Sequence, residues 1–209
     1  MNSGKHPWDE IFKNEGWPYF EPFPRFGEIV QVLRAHHCSK ILDLGCGNGR
    51  HTIYLEKEGF QIVGMDISTS GLRLTQDWQT KEGTAGDLVL ADARIHFPFR
   101  NNCFNGLFST QVIHHAKIGE IRRTIKEIWR ILSSGGIAFV TVSGKMDEKD
   151  VFEEIEPDTF VPLTGPEKGL PHHIFSVAEL RAEFHDFHIK DISVVADGHV
   201  IKVLARKPG

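Results

Sequence analysis

Several features that would direct this chain to a membrane, to nucleic acid or to an oxidising compartment are missing from its sequence. No apolar run approaches the length of a membrane span, and residues 1–8 lack the apolar core of a secretion signal. Lysine and arginine total 24 against 28 acids, so the formal charge of −4 provides no basic excess for wrapping nucleic acid. The three cysteines, Cys38, Cys46 and Cys103, form no Cys-x-x-Cys pair and indicate reduced thiols. We therefore expect a cytoplasmic protein without a membrane or nucleic-acid partner.

The chain has 209 residues, which is enough for one well-buried domain and too few for a second independent core. It contains no internal repeat and no low-complexity tract. Strand and helix patterns alternate along most of it, which predicts an α/β fold with a parallel sheet covered by helices on both faces. Two last strands, 189–195 and 200–205, flank the short turn 197–199, so one of them must run antiparallel to the rest. We expect a single domain over residues 1–209.

The most informative segment is residues 41–50, which read Ile-Leu-Asp-Leu-Gly-Cys-Gly-Asn-Gly-Arg. Here a short apolar strand ends in Asp43 and breaks into a glycine-rich loop. Glycines permit close approach of the backbone to a ligand, and the helix that follows points its N-terminal N–H groups at the same place. A phosphate-binding P-loop would need Lys-Ser or Lys-Thr, which is missing. A dinucleotide fingerprint would need its third glycine where Arg50 stands. A tight strand–helix turn without a ligand remains the alternative.

Two further apolar strands end in acids, which changes the interpretation of the loop. Residues 61–66 end at Asp66, which is placed to accept both hydroxyls of a ribose, and residues 88–93 contain Asp92. Together with Asp43 in the glycine loop, three acids follow three successive strands. This Asp-x-Gly-x-Gly-x-Gly loop with its two later acids resembles the class I S-adenosylmethionine (SAM)-dependent methyltransferases. Within them it is similar to the type 11, UbiE-like small-molecule group, with some likeness to the tellurite-resistance type.

The resemblance covers about residues 40–142 and implies a Rossmann-like, doubly wound seven-stranded sheet of order 3-2-1-4-5-7-6 with strand 7 antiparallel. It implies SAM as cofactor and S-adenosylhomocysteine (SAH) as product. The glycines would border the amino-acid end of SAM, Asp43 would help bind its ammonium, and Asp92 would bond the adenine amine. The residues expected to bind the cofactor are Asp43, Gly45, Cys46, Gly47, Asn48, Gly49, Asp66, Ile67, Asp92, Ala93, Gln111, Tyr19 and Arg25.

Residues 1–26 are dense in aromatic side chains and proline. The simpler interpretation is a helix and a proline-stiffened strap packed on the sheet. The sharper hypothesis is a lid over SAM with Tyr19 and Arg25 near the cofactor, because an aromatic face attracts a sulfonium cation.

The segment 144–175 is a long loop after the fifth predicted strand, and in the resembled family this loop lies over the acceptor pocket. It ends in the pair His172-His173, and a second pair, His114-His115, is expected at the same rim. We name His172, His173 and His115 as candidate acceptor-side catalytic groups, since a histidine pKa lies near neutrality. Adjacent residues of an extended chain point to opposite sides, so one histidine of each pair should face the pocket. No His-x-x-x-His or nearby carboxylate spacing supports a metal, and we expect none.

The resulting hypothesis is methyl transfer from SAM to a small-molecule acceptor by a monomer or homodimer. Two alternatives stay open at this point. One is a regulatory protein that binds SAM or SAH without catalysis, and the other is an NAD-linked oxidoreductase on a related sheet. The missing dinucleotide glycine and the third acid, Asp92, count against the second.

Overall fold

The computed structural model describes residues 6–15, 20–146 and 151–209. Its helices are α1 (Pro7–Glu15), α2 (Phe26–Ala35), α3 (Arg50–Lys57), α4 (Thr69–Glu82), α5 (Ile118–Ile131) and α6 (Val177–Glu183), with a 3-10 turn at Ala196–Gly198. Its strands are β1 (Lys40–Leu44), β2 (Gln61–Asp66), β3 (Asp87–Leu90), β4 (Phe104–Thr110), β5 (Leu132–Ser143), β6 (Phe152–Glu156), β7 (Thr159–Pro162), β8 (His172–His173), β9 (His188–Val195) and β10 (Val200–Arg206). In the part of the chain that the structure describes, no helix is both long and apolar enough to cross a membrane.

The main sheet has seven strands in the order β3-β2-β1-β4-β5-β10-β9. Its neighbours from β3 to β5 are parallel, whereas β10 runs antiparallel to both β5 and β9. When only the strands of this sheet are numbered, the order is 3-2-1-4-5-7-6 with strand 7 antiparallel, so the predicted fold class is confirmed. The order reverses between β1 and β4, and sheets of this type bind ligands beyond the carboxyl ends of the strands at such a point.

Apolar side chains cover both faces of the sheet, as a parallel sheet requires. Along β1, Ile41 packs with α2 and α3, whereas Leu42 and Leu44 face the opposite layer, which α5 and α6 complete. Alternate residues of β5 divide in the same way: Phe139 stacks on Phe108 of β4 with ring centroids 5.3 Å apart, and Val140 belongs to the other layer. The carboxyl ends of the central strands are thereby held in place by packing from both sides.

The segment 144–175, expected to be a loop, contains a second, three-stranded antiparallel sheet of order β6-β7-β8 among its described residues. Its strands are short and partly polar, so the sequence has no alternating apolar pattern that would predict them. Long-range hydrogen bonds fix this small sheet: the His173 N–H donates to the His114 carbonyl over 2.8 Å, and the Phe175 N–H donates to the Ser143 carbonyl over 2.9 Å. The small sheet is therefore tied to the loop after β4.

The junction between α5 and β5 depends on Lys207. Helix α5 ends at Ile131, and the pairing of β4 with β5 shifts its register between Leu132 and Ile137. The Lys207 ammonium donates to the carbonyls of Trp129 and Leu132 over 2.8 and 2.6 Å, and to the Asn102 side chain over 2.9 Å. One buried cation thus satisfies carbonyl groups that the end of α5 leaves without helical partners.

We predict that Lys207→Met lowers the free energy of unfolding by about 1–3 kcal/mol, because buried carbonyl oxygens then lose their donor. Lys190→Met, at an exposed position of β9, is the matched control and should change stability little. Urea unfolding followed by circular dichroism measures both. Equal stability of the two variants would contradict the role given to Lys207.

Candidate active site

A cavity of about 400 Å³ lies beyond the carboxyl ends of β1, β2 and β4, since Leu44, Asp66 and Thr110 all line it. The predicted cofactor residues that it brings together are Gly45, Cys46, Gly47, Asn48, Asp66, Ile67, Asp92, Ala93 and Gln111. The predicted residues that do not line it are Asp43, Gly49 and Arg25, and Tyr19 lies outside the described residues. Most of the predicted cofactor set therefore converges on one wall.

The glycine loop adopts a backbone that other residues rarely adopt. Gly45 and Gly47 have φ angles of 75° and 55°. A Cβ at Gly45 would overlap the methyl groups of Val112, and a Cβ at Gly47 would lie 2.8 Å from Cζ of Phe12. The protein's own packing therefore demands these glycines, in addition to any demand from a ligand.

Asp66 is the last residue of β2 and holds the glycine loop in place. One carboxylate oxygen accepts the Gly47 N–H over 2.8 Å, and the other accepts the Ser68 N–H over the same distance. Burial raises the pKa of Asp66 above its ordinary value, although the backbone hydrogen bonds oppose that shift. Each carboxylate oxygen has a second lone pair, so the group can still accept hydroxyl donors from the cavity.

Asp92 lies two residues beyond β3, in a turn, rather than in the strand as predicted. Both of its oxygens accept from the Arg94 guanidinium, with an Nε–Oδ1 distance of 2.9 Å and an Nη2–Oδ2 distance of 2.7 Å. Burial alone would raise the pKa of the Asp92 carboxyl, but hydrogen bonds from Arg94 outweigh it and leave the pKa lowered. Asp92 is therefore an ionised acceptor at the cavity wall, held by an arginine that the sequence analysis did not single out.

Asp43 faces away from the cavity because of its place in β1. It is the fourth of five residues in that strand rather than its end, and it points to the same side as Ile41. Its carboxylate accepts the Thr52 hydroxyl of α3 over 2.7 Å. Burial raises the pKa of Asp43 to about 7, although the hydrogen bond from Thr52 opposes the shift. In this structure Asp43 fastens α3 behind the glycine loop.

Helix α1 covers the cavity, and His6, Trp8 and Phe12 line it from that side. Asp9 attaches α1 to the start of α4, since it accepts the Ser68 hydroxyl over 3.1 Å and the Ser70 N–H over 2.7 Å. The aromatic residues that line the cavity thus belong to the predicted lid segment, residues 1–26, and they lie in its helix α1.

Arg25, which we had placed near the cofactor, lies elsewhere. It precedes α2 with a φ angle of 61°, and its exposed guanidinium pairs with Glu28. The physical reason is local: an arginine three residues before a glutamate forms an ion pair on its own helix end. The structure therefore gives Arg25 no contact with the cavity.

Three histidines meet at one end of the cavity: His114, His115 and His172. His173 does not line it, because its ring is buried between the Thr159 hydroxyl at 2.8 Å and the Glu179 carboxylate at 3.1 Å. The pair 172–173 therefore divides as predicted. The pair 114–115 does not, because residues 113–116 form a turn and not an extended strand.

Burial lowers the pKa of His114 to about 3 and that of His115 well below its ordinary value, and neighbouring imidazoles act in the same direction. Both rings are therefore neutral near pH 7 and are weak bases. The argument for His115 as a general base assumed a pKa near neutrality, and that assumption does not hold in these surroundings.

A second cavity of about 460 Å³ adjoins the first, and the two share Trp8, Gln111, Ser143, Glu167 and His172. Gln111 has a φ angle of 56°, which is unfavourable for a residue with a side chain, and strain of this kind concentrates at functional sites. The Gln111 backbone N–H donates to both the carbonyl and the hydroxyl of Thr141, over 3.1 and 3.0 Å. Gln111 thus lies in a defined position at the boundary of the two cavities.

Sequence reasoning did not single out Arg94 or Glu167, and it included Trp8, Phe12 and His114 only as parts of the lid segment and of a histidine pair, although all five line the first cavity. Arg94 carried a usable signal, because it follows Asp92 by two residues. The other four reach the cavity through tertiary contacts of α1, of a turn and of the small sheet.

We predict that Asp43→Asn changes how stability depends on pH, while the amide oxygen still accepts the Thr52 hydroxyl. With a pKa of about 7 when folded and 3.8 as its ordinary value, the folded wild type holds an extra proton between these values and loses stability as pH rises through that window. The variant lacks this titration, so its Tm relative to wild type should rise from about pH 4 to about pH 7. Calorimetry measures the difference, and a Tm difference that stays constant with pH would contradict the burial of this carboxyl.

Comparisons with known proteins agree with this geometry. Residues 42–140 match a family described as a methyltransferase domain, type 11. The chain is 42% identical over 84 residues to 18S rRNA (guanine-N(7))-methyltransferase bud23 of Schizosaccharomyces pombe, covering 40% of this chain and 30% of that protein. It is 24% identical over 147 residues to malonyl-[acyl-carrier protein] O-methyltransferase of Salmonella typhimurium, covering 69% of this chain and 56% of that protein. The chain thus spans about a third to a little over half of the length of these two relatives.

A solved structure shows the same fold over nearly the whole chain. TehB from Haemophilus influenzae superposes with a TM-score of 0.67 and 20% identity, covering 96% of this chain and 67% of that one. Since the family match falls on the strands and loops that form the first cavity, the predicted family is confirmed. Over residues 42–140 the chain carries a type 11 methyltransferase domain, and its fold is that of the class I SAM-dependent methyltransferases.

Proposed function

We propose that this protein transfers a methyl group from SAM, bound in the first cavity, to a small molecule bound in the second. The observation that carries the proposal is the shared boundary of the two cavities at Trp8, Gln111 and His172. A methyl donor on one side of that boundary and an acceptor on the other would meet there without further rearrangement of the sheet.

The donor side follows from the polar groups of the first cavity. The glycine loop would border the methionine part of SAM, and Asp66 would accept the ribose hydroxyls on its remaining lone pairs. Ile67 and Ala93, the residues that follow Asp66 and Asp92, also line the cavity, and the adenine would lie beside them with its amine donating to Asp92. Arg94 keeps Asp92 ionised and oriented for that hydrogen bond.

Methyl transfer asks mainly for alignment and for exclusion of water, because the sulfonium is already activated. Helix α1 supplies a cover, since Trp8 and Phe12 line the cavity. An aromatic ring near a sulfonium is attractive, which favours a role for Trp8 beside the donor. The hypothesis that residues 1–26 close over the cofactor remains a prediction, and we propose that α1 is the part of that segment that does so.

The acceptor is proposed to be a small molecule because the second cavity has a volume of about 460 Å³. Its wall combines apolar residues such as Ile11, Phe152 and Ile174 with polar ones such as Lys145 and Glu167. Cavities of this size suit metabolite-sized ligands. The formal charge of −4 disfavours a polyanionic acceptor. The related rRNA methyltransferase shares only 30% of its length with this chain, so its RNA acceptor does not carry over.

Of the two alternatives, the NAD-linked oxidoreductase is disfavoured, because the family match is to methyltransferases. A SAM- or SAH-binding regulator would use the same first cavity, so the discriminating feature is the second one. A regulator has no need of a second cavity open to the donor, whereas an enzyme requires it.

We predict that Asp66→Asn lowers the affinity for SAM about tenfold or more, because a charged acceptor of ribose hydroxyls is lost and hydrogen bonds to charged groups contribute about 1.5–3 kcal/mol. Asp77→Asn, at an exposed position of α4, is the matched control. Isothermal titration calorimetry measures both, with thermal melts to confirm folding. Unchanged affinity in folded Asp66→Asn would remove Asp66 from the donor site.

The enzymatic proposal is tested by supplying SAM with a radiolabelled methyl group and a fractionated pool of small metabolites. We expect label to appear in a low-molecular-weight fraction, and His172→Ala to reduce that incorporation while SAM affinity is retained. Label found only in added RNA would overturn the small-molecule acceptor. SAM binding without any transfer would favour the regulator.

A further inference from the structure

The three histidines at the boundary of the two cavities form a compact cluster that cofactor binding does not use. One ring nitrogen from each of His114, His115 and His172 lies within 4.8 Å of the others. The ring centroids of His114 and His115 are 4.1 Å apart, and those of His115 and His172 are 4.6 Å apart. The cluster joins the turn after β4 to strand β8 of the small sheet.

Two of these rings have unsatisfied hydrogen-bonding atoms. Nδ1 of His114 and Nδ1 of His115 are buried from solvent and have no hydrogen-bond partner among the described residues. Leaving such a buried atom without a partner costs about 1–3 kcal/mol, and folded proteins rarely do so. A group from outside the chain is the natural partner for these ring nitrogens.

We propose that His114, His115 and His172 together bind a divalent transition-metal ion of the Zn²⁺ type. Metal–imidazole bonds of about 2.0–2.1 Å place tetrahedral ligands roughly 3.3 Å apart, so ring nitrogens within 4.8 Å of one another need only small side-chain rotations. Neutral imidazoles suit zinc, copper, iron and nickel, whereas calcium and magnesium prefer oxygen ligands.

A carboxylate stands beside the cluster and completes its surroundings. Oε2 of Glu167 lies 3.3 Å from Nε2 of His172. Carboxylates in this position orient ligating imidazoles and balance the charge of the ion. Glu167 lines both cavities, so it places negative charge at their shared boundary.

Three protein ligands leave a fourth position open, which is the arrangement of catalytic rather than structural zinc sites. The cluster lines the first cavity, and His172 lines the second as well. If the proposed function holds, the open position faces the place where an acceptor oxygen, nitrogen or sulfur would sit. The site would then select acceptors that carry a metal-binding heteroatom.

The sequence analysis expected no metal because no His-x-x-x-His spacing is present. The cluster instead combines an adjacent pair in a turn with one histidine from a distant strand. The His173 N–H donates to the His114 carbonyl over 2.8 Å, which brings the two segments together. The small sheet brings His172 next to the pair His114-His115, and the sequence pattern did not predict that sheet.

Metal binding is tested on the full chain without SAM or acceptor. Protein stripped with a chelator is titrated with Co²⁺ while visible absorption is recorded, and with Zn²⁺ in a calorimeter. We expect one ion per chain and the absorption of a tetrahedral Co²⁺ site. His172→Ala and His114→Ala should each weaken binding at least about tenfold, because each removes a ligand.

His185→Ala is the matched control, because His185 is 74% exposed and lies outside the cluster. It should bind metal as the wild type does. Thermal melts identify any variant that fails to fold, and His172→Gln then replaces it as a less disruptive change. No binding by wild type, or binding that His172→Ala and His172→Gln leave unchanged, would overturn the proposal. SAM affinity is measured on the same samples, so loss of the metal site and loss of the donor site are distinguished.

Discussion

The hydrogen bond from the Gly47 N–H to the Asp66 carboxylate is the contact on which the donor cavity depends. It joins the loop after β1 to the end of β2 over 2.8 Å, in a buried position. Burial raises the pKa of Asp66, which means that it disfavours the charged form of this carboxyl. The two backbone N–H groups that donate to the carboxylate stabilise that charged form. Without that contact the loop would lose its anchor, and the wall that faces the cofactor would lose its shape.

Gly47 is also enclosed by the protein on its other sides. Its carbonyl accepts the Thr75 hydroxyl over 2.8 Å, and the ring of Phe12 lies where a side chain at position 47 would stand. Asp9 then fixes the helix that carries Phe12 to the start of α4. The glycine loop thus contacts α4, α1 and Asp66, so it is preorganised. A ligand that binds there would lose little free energy in ordering the loop.

Features set by nearby residues could be predicted from the sequence. The α/β class with one antiparallel strand followed from alternating strands and helices with a terminal hairpin, and the glycine loop with Asp66 and Asp92 followed from spacing. The order of the sheet followed from the family resemblance. Features set by distant contacts could not. Asp43 faces away from the cavity because it lies within β1 on the same side as Ile41, where the Thr52 hydroxyl donates to it. The histidine cluster depended on β8, whose two residues carry no pattern that a sequence can show.

A crystal structure with SAH bound tests the central claim most directly, that the boundary of the two cavities is the place of methyl transfer. We predict that the ribose hydroxyls contact Asp66 and that the sulfur faces Gln111 and His172 across open space continuous with the second cavity. SAH bound with its sulfur directed away from that boundary, or closed off from the second cavity, would contradict the account.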